Sequence, residues 1–255
     1  MTVYTIALAK GGSTKTTTAA ELVHALAGAG RRVLALDLDQ QGNFTTRLGV
    51  GRGAGVDAVA ADVMTGEATA AEAAIDAPSV PGAQVIAGTQ DMARIEHMPE
   101  LGLALRDYLP SLGEWDDIVI DTPPALGVIT LAALAAADVV IAPVTTSGEA
   151  YEQLDRLARF VSQRVARLRP GQEVHAVIPT RYDGRRILDR EVVERLEERW
   201  PGKVMTPVRE GVVARDAYLA RQPIGVYAPA SNVARDYTAA LSGIITTTTM
   251  QGADS

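Results

Sequence analysis

At 255 residues, 47 % of them hydrophobic, the chain can bury a sizeable core, and with aromatics at 4 % that core must be built from Ala, Val, Leu and Ile. It has no cysteine, which excludes disulfides, iron–sulfur ligation and thiol catalysis and fits a reducing cytoplasm. The net charge of −7 is unevenly placed: residues 1–150 carry 8 Lys+Arg against 18 Asp+Glu, whereas residues 151–235 carry 16 against 11, and 15 of those 16 are Arg. A local basic face can matter for nucleic acid despite an acidic whole, although a solvated helix with internal pairs also accounts for an Arg/Glu-rich stretch such as 185–199.

Apolar runs alternate with helical patterns along the chain. Val3 to Ala9 reads as a strand, Thr16 to Ala29 as a helix stopped by Gly28 and Gly30, and Val33 to Leu38 as a second strand. Residues 51–82, rich in Gly, Ala and Asp, read as a surface insertion. Strands follow at Val85 to Ala87 and Ile118 to Ile120, then a helix from Leu126 to Ala136 and a strand from Val139 to Ile141. Leu154, Leu157, Val161, Val165 and Leu168 share one helical face. Strands at Val174 to Ile178 and Val204 to Met205 alternate with helices at Ile187 to Arg199, Val212 to Ala220 and Val233 to Ile245. The alternation predicts an α/β fold, a doubly wound, mostly parallel sheet with helices on both faces. One domain over residues 1–245 and a flexible tail over 246–255 are expected. Val128 to Ala142 is interrupted by Asp138 and too short to span a bilayer, so no membrane role is expected. His24, His97 and His175 have no metal-ligand spacing and read as structural.

Three stretches carry chemistry. Ala9-Lys10-Gly11-Gly12-Ser13-Thr14-Lys15-Thr16-Thr17-Thr18 follows a strand and opens a helix, as a phosphate-binding loop requires. The backbone of Gly11, Gly12, Ser13 and Thr14 can close on phosphate oxygens, Lys15 can meet the β- and γ-phosphates, and Thr16 can ligate Mg²⁺. Thr14 stands where an ordinary loop has glycine, and a β-branched residue is costly there if φ is positive. At the second strand's end, Asp37 and Asp39 are two apart in Leu36-Asp37-Leu38-Asp39-Gln40-Gln41-Gly42-Asn43, so an extended strand would point both the same way, one toward the ion's water shell and one toward an attacking water. Asp117-Ile118-Val119-Ile120-Asp121-Thr122-Pro123-Pro124 is an apolar strand ending in a carboxylate that can hold Mg²⁺ through water.

With Lys10 five residues before Lys15, the loop resembles that of the deviant-Walker ATPases, and Asp37 to Gly42, Asp121 to Pro124 and Leu126-Gly127 look like the ParA partition ATPases of that group. Similar segments follow at Ile178 to Asp183, Thr206 to Arg209, Arg215 to Ala217, Gln222 to Ile224 and Ser231-Asn232. The resemblance covers about residues 3–245 and is sparse only in 51–110. It implies a P-loop fold, ATP and Mg²⁺ as cofactors, and ATP hydrolysis with Asp39 at the water and Asp37 in support. Thr17, Arg181 and Pro207 would also hold nucleotide, Lys10 would reach a partner's nucleotide in an ATP-bound homodimer, and Thr122 to Gly127 would form a switch loop. It further implies non-specific DNA binding by C-terminal arginines, with Arg185, Arg186, Arg190, Arg209, Arg215 and Arg221 as candidates, some of them paired with Glu191, Glu194 or Asp216. A ParB-like centromere-binding partner, nucleoid association, and likeness to the short partition ATPases without an upstream helix-turn-helix complete the expectation. A MinD-like membrane-cycling or other regulatory deviant-Walker ATPase is the alternative, the membrane form weakened by a Thr-rich end without Lys or Arg after Ile244.

Overall fold

In the computed structural model, which describes residues 1–51, 55–109 and 115–253, eight strands form one sheet. They are β1 (Thr2–Ile6), β2 (Val33–Asp37), β3 (Ala74–Asp76), β4 (Ala83–Ile86), β5 (Asp117–Asp121), β6 (Val139–Thr145), β7 (Ala176–Tyr182) and β8 (Val208–Arg209), side by side in the order β3-β4-β2-β5-β1-β6-β7-β8. Every neighbouring pair is parallel except β3 with β4. The helices are α1 (Lys15–Gly28), α2 (Asn43–Arg47), α3 (Ala60–Thr65), α4 (Ala70–Ala73), α5 (Met92–Ile95), α6 (Ala104–Tyr108), α7 (Val128–Ala136), α8 (Ala150–Gln163), α9 (Ile187–Arg199), α10 (Val213–Leu219), α11 (Ile224–Tyr227) and α12 (Asn232–Ala253).

The strands read as continuous apolar runs because both faces of the sheet are covered. In β2, Val33 and Ala35 enter the cluster under α1 and α12, while Leu34 and Leu36 enter the opposite one under α3 to α7. In β5, Val119 takes the first side and Ile118 and Ile120 the second. A third cluster joins β6 and β7 to α8 and α9 through Val140, Ala142, Val177, Leu154, Leu157, Val192 and Leu196. Gly30, at φ 79°, ends α1, as expected for a residue free to turn left-handed.

Three local expectations change. Residues 58–64 are not a surface insertion: Ala58, Val59, Ala60, Ala61, Val63 and Met64 are buried against Leu34, Leu36, Ile86 and Ile118. Small side chains let this segment approach the sheet closely, so a composition that looks like loop serves as core. Residues 52–54 of that stretch lie outside the described residues. Val204 makes only an isolated bridge to Val177, and the strand forms four residues later at Val208–Arg209. The last helix does not stop at Ile245 but continues to Ala253. No proline interrupts that stretch, and threonine costs a helix only about 0.7 kcal/mol per residue relative to alanine. Residues 254–255 of the expected tail lie outside the described residues.

The register fixes the site. Ile6 pairs with Asp121 and Asp37 also pairs with Asp121, so β1, β2 and β5 end side by side. Such a crevice beyond the carboxyl ends of parallel strands is where open α/β sheets bind ligands.

Candidate functional site

The loop from β1 to α1 carries Gly12 at φ 72° and Thr14 at φ 64°, ψ 13°. Thr14 is therefore left-handed, the conformation that disfavours a β-branched residue. Its hydroxyl lies 2.9 Å from Thr180 Oγ1 on β7, and Thr180 Oγ1 donates to Val144 O at 3.2 Å. The strained residue is thus clipped to the sheet. Lys15 Nζ donates to the Lys10 carbonyl at 2.9 Å, arching back over the loop. Burial lowers its pKa, and the charges of Asp121 and Asp39 oppose that shift.

Thr16 Oγ1 donates to Asp121 Oδ2 at 2.7 Å, while Asp121 Oδ1 is buried with no hydrogen-bond partner. A buried carboxylate oxygen left unpaired beside a threonine hydroxyl fits a cation binding there. Burial first, then the charge of Asp37, pushes the Asp121 carboxyl above its usual range. Among the described residues no cluster of three or more His, Asp or Glu forms a protein-only metal cage, as expected for a magnesium ion that keeps waters and phosphate oxygens as ligands.

The two aspartates of the second motif do not point the same way. β2 ends at Asp37, and Asp39 lies in the following turn. Asp37 is fully buried; its Oδ2 accepts from Thr45 N at 2.8 Å and Thr45 Oγ1 at 2.7 Å, and its Oδ1 from Asp39 N at 3.1 Å. Both oxygens are thus engaged, which lets Asp37 position Asp39 and α2. Burial pushes its carboxyl up to about 6. Asp39 lines the cleft and accepts from Gln41 N at 3.0 Å.

The cleft itself, roughly 530 Å³, is bounded by Gly11 to Thr17, Asp39, Gln41, Asn43, Arg47, Pro124, Arg181 and Tyr218. A second cavity of roughly 410 Å³ adjoins it and shares Thr14, Thr17, Arg47, Arg181 and Tyr218, with Thr180, Val208, Gly211, Ala214 and Arg215 beyond. Arg181 reaches this junction because β7 bulges: Thr180 pairs with Val208 and Tyr182 with Arg209, leaving Arg181 as the extra residue at φ 54°. Pro207, expected beside the nucleotide, lines a neighbouring groove with Tyr182, Asp183 and Val212 that shares Arg209 and Gly211 with the second cavity.

Lys10 lies outside the cleft, its Nζ 2.7 Å from Glu149 Oε2 at the start of α8. Thr122 to Gly127 begins with Thr122 Oγ1 donating to Ile6 O at 2.8 Å and ends where Glu96 Oε2 accepts from Val128 N at 3.0 Å. A Cβ at Gly127 would meet that Glu96 carboxylate, so a larger residue there would have to displace the Glu96 side chain from the Val128 amide.

The arginine pairs differ from expectation. Arg185 and Arg186 pair with Asp183, at 2.9 and 3.6 Å, and Arg209 forks onto Asp236 at 2.6 and 3.0 Å. Arg190 Nη1 donates to Gly184 O at 2.7 Å. Asp183 precedes α9 and Asp236 lies one turn into α12, and neither is among the acids the sequence suggested. Arg215 lines the second cavity, and Arg221, at φ 56°, sends its guanidinium toward Gly51. His175 accepts the Val140 amide at 3.0 Å, the structural role expected of it.

Sequence reasoning missed Arg47 and Tyr218, and took Thr180 only as part of the segment Ile178 to Asp183. Nothing in their spacing relates them to the loop; they meet it only because α2, α10 and β7 converge.

A family model described as AAA domain matches residues 1–172. The chromosome partitioning protein ParA of Caulobacter vibrioides is 36 % identical over 230 residues, 87 % of this chain and 83 % of that one. The chromosome-partitioning ATPase Soj of Thermus thermophilus is 36 % identical over 91 % of each chain. Among solved structures, cobyrinic acid a,c-diamide synthase from Mycobacterium smegmatis, with bound ADP and magnesium, superposes with a TM-score of 0.75 at 31 % identity over 87 % of this chain and 91 % of that one. With such identity along most of both chains, on a sheet whose strand ends gather Lys15, Thr16, Asp39 and Asp121, this protein belongs to the ParA/Soj family of partition ATPases.

Proposed function

We propose that the chain hydrolyses ATP at the cleft above β1, β2 and β5 and uses the cycle to segregate DNA. The observation that carries the reading is the Thr16–Asp121 hydrogen bond with an unpaired Asp121 oxygen, close enough to Lys15 for its charge to act on the ammonium. Thr16 and Asp121 suit a magnesium ion, which when bound neutralises charge on the β- and γ-phosphates. In this reading Lys15 and the amides of residues 11–16 hold the phosphates. Asp39, fixed through its amide by Asp37, orients a water on the γ-phosphorus. That bond forms as the bond to the β–γ bridging oxygen breaks, giving ADP and inorganic phosphate.

Lys10 and the arginines extend the reading. Lys10 is outside its own cleft, so its ammonium is available to a second subunit's nucleotide, and ATP would thereby promote a homodimer. The dimer would bind DNA through phosphate contacts alone and without sequence preference. Arg185 and Arg186 are the best placed, with side chains 91 % and 61 % exposed. A ParB-like centromere-binding partner would then stimulate hydrolysis and release the dimer from the nucleoid. Among the described residues no helix is long and apolar enough to cross a membrane, and the relatives named for chromosome partitioning favour DNA as the surface.

The test is an electrophoretic shift on non-specific duplex without nucleotide, with ADP, with ATP and with a slowly hydrolysed ATP analogue, at two salt concentrations. The expected result is a shift that needs ATP or the analogue and weakens steeply with salt. An unshifted duplex in every state would remove the DNA reading and leave only the ATPase.

A further inference from the structure

Arg47, the last residue of α2, is 9 % exposed, and its Nη1 is buried without a hydrogen-bond partner. Among the described residues no carboxylate lies within ion-pair distance of it. The nearest candidate, buried Glu21, has both oxygens engaged: Oε1 accepts from Ile224 N and Oε2 from Gly225 N, the latter at 2.9 Å. What holds the guanidinium is the Tyr218 ring, whose centroid is 5.0 Å from Arg47 Cζ. Tyr218 is itself fixed by donating to Asn43 Oδ1 at 2.9 Å. A buried cation with no direct ion-pair partner, supported only from a distance by the charges of Glu21 and Asp121, is unfavourable, and an apolar side chain of similar size is commonly more stable in such a place. The arrangement makes physical sense if an anion arrives from outside.

Its location says which anion. Arg47 lines both the cleft and the adjoining cavity, whereas Lys15 and Thr16 line only the first. It stands, with Thr14 and Thr17, where a bound nucleotide would pass from its β,γ end into the second cavity. We infer that Arg47 is a phosphate-binding residue of the nucleotide site and holds the α-phosphate at that junction. This rests on the reading of the cleft as an ATP site.

The experiment is calorimetric titration of the wild type, Arg47→Met, Arg47→Lys and Lys15→Ala with Mg²⁺ and ATP, ADP or AMP, together with melting curves with and without nucleotide. Arg47→Met is expected to melt at or above the wild type when free of nucleotide. Its affinity for ATP and for ADP should fall by the same factor, roughly ten- to hundredfold, the value of a charge-assisted hydrogen bond. Arg47→Lys should fall between, since lysine restores the charge without the fork. A lower melting point with unchanged affinity would make Arg47 a packing residue and overturn the inference. A loss confined to ATP would move its contact to the γ-phosphate and overturn the α assignment. If Lys15→Ala loses binding while Arg47→Met keeps it, the cleft remains an ATP site and only the role of Arg47 is withdrawn. A wild type that binds none of the three nucleotides overturns both.

Discussion

Thr14 sets two opposed terms in one residue. Its left-handed backbone costs of order 1–3 kcal/mol for a β-branched side chain, and its hydroxyl contact with Thr180 offsets about 1 kcal/mol of that. Thr14→Ala keeps most of the strain and loses the contact, so it should lower the melting temperature by about 2–4 °C. Thr14→Gly removes both and should melt close to the wild type. Thermal unfolding of the pair separates the terms, and a glycine variant as unstable as the alanine one would show that strain is not the governing factor. Titration at buried carboxyls is a second residue-scale effect. Burial pushes Glu21 up to about 7 and Asp37 up to about 6. A raised carboxyl binds its proton more tightly in the folded chain, so its stabilising contribution is complete below about pH 4 and is lost as pH rises through 6 to 7. Unfolding by denaturant should therefore become easier between about pH 5 and pH 8 in the nucleotide-free protein. Glu21→Gln should flatten the upper part of that slope whatever it does to the absolute stability. An unchanged slope would mean that Glu21 is already ionised when buried, held so by its two amide donors. At this scale the sequence was readable where function rests on chain-local order. Lys15, Thr16 and Asp121 follow from strand–loop–helix spacing and a strand ending in a carboxylate. Arg47 and Tyr218 were not readable, because their meaning lies in a meeting of α2 with α10 that no spacing encodes.

Among the elements, the strands and the long helices were legible for one reason: burial on both sheet faces demands unbroken apolar runs, and those runs are visible in β1, β2 and β5. The Asp37–Asp39 pair misled because period-two reasoning holds only inside a strand, and β2 ends at its first member. The segment of α3 was illegible because alanine-rich core and alanine-rich loop have the same composition. Helix α9 presents a different case, since its extent follows the sequence but its start is where chemistry concentrates. Arg185 and Arg186 flank it beside exposed Ile187 and Leu188, and Asp183 holds both arginines from below. Surface pairs of this kind contribute little, so in the proposed role DNA phosphates can compete for them. Arg185→Glu with Arg186→Glu should abolish the ATP-dependent shift while nucleotide affinity stays within about twofold, roughly 0.4 kcal/mol. A retained shift would place the DNA face on another element. Arg209 and Arg215 serve that test poorly, because both line the cavity beside the nucleotide.

For the whole molecule, the Lys10–Glu149 contact bears on assembly. Both side chains are largely open, 40 % and 66 %, so solvent screens the pair and it yields readily to a stronger anion. Lys10→Ala should keep ATP binding to the single chain yet lose the ATP-dependent doubling of mass in light scattering. Glu149→Ala should leave that doubling intact. Doubling that survives Lys10→Ala would take the lysine out of the interface. The sheet adds a constraint of another kind. It ends on one rim with the three residues of β3, turned against its neighbour, and on the other with the two residues of β8. Rims so short offer a foreign strand almost no ladder to join. Edge-to-edge addition of a foreign strand, a route toward fibrils, is thereby disfavoured at both ends. If the chain gathers on DNA as proposed, crowding there would not seed aggregates through the sheet edges.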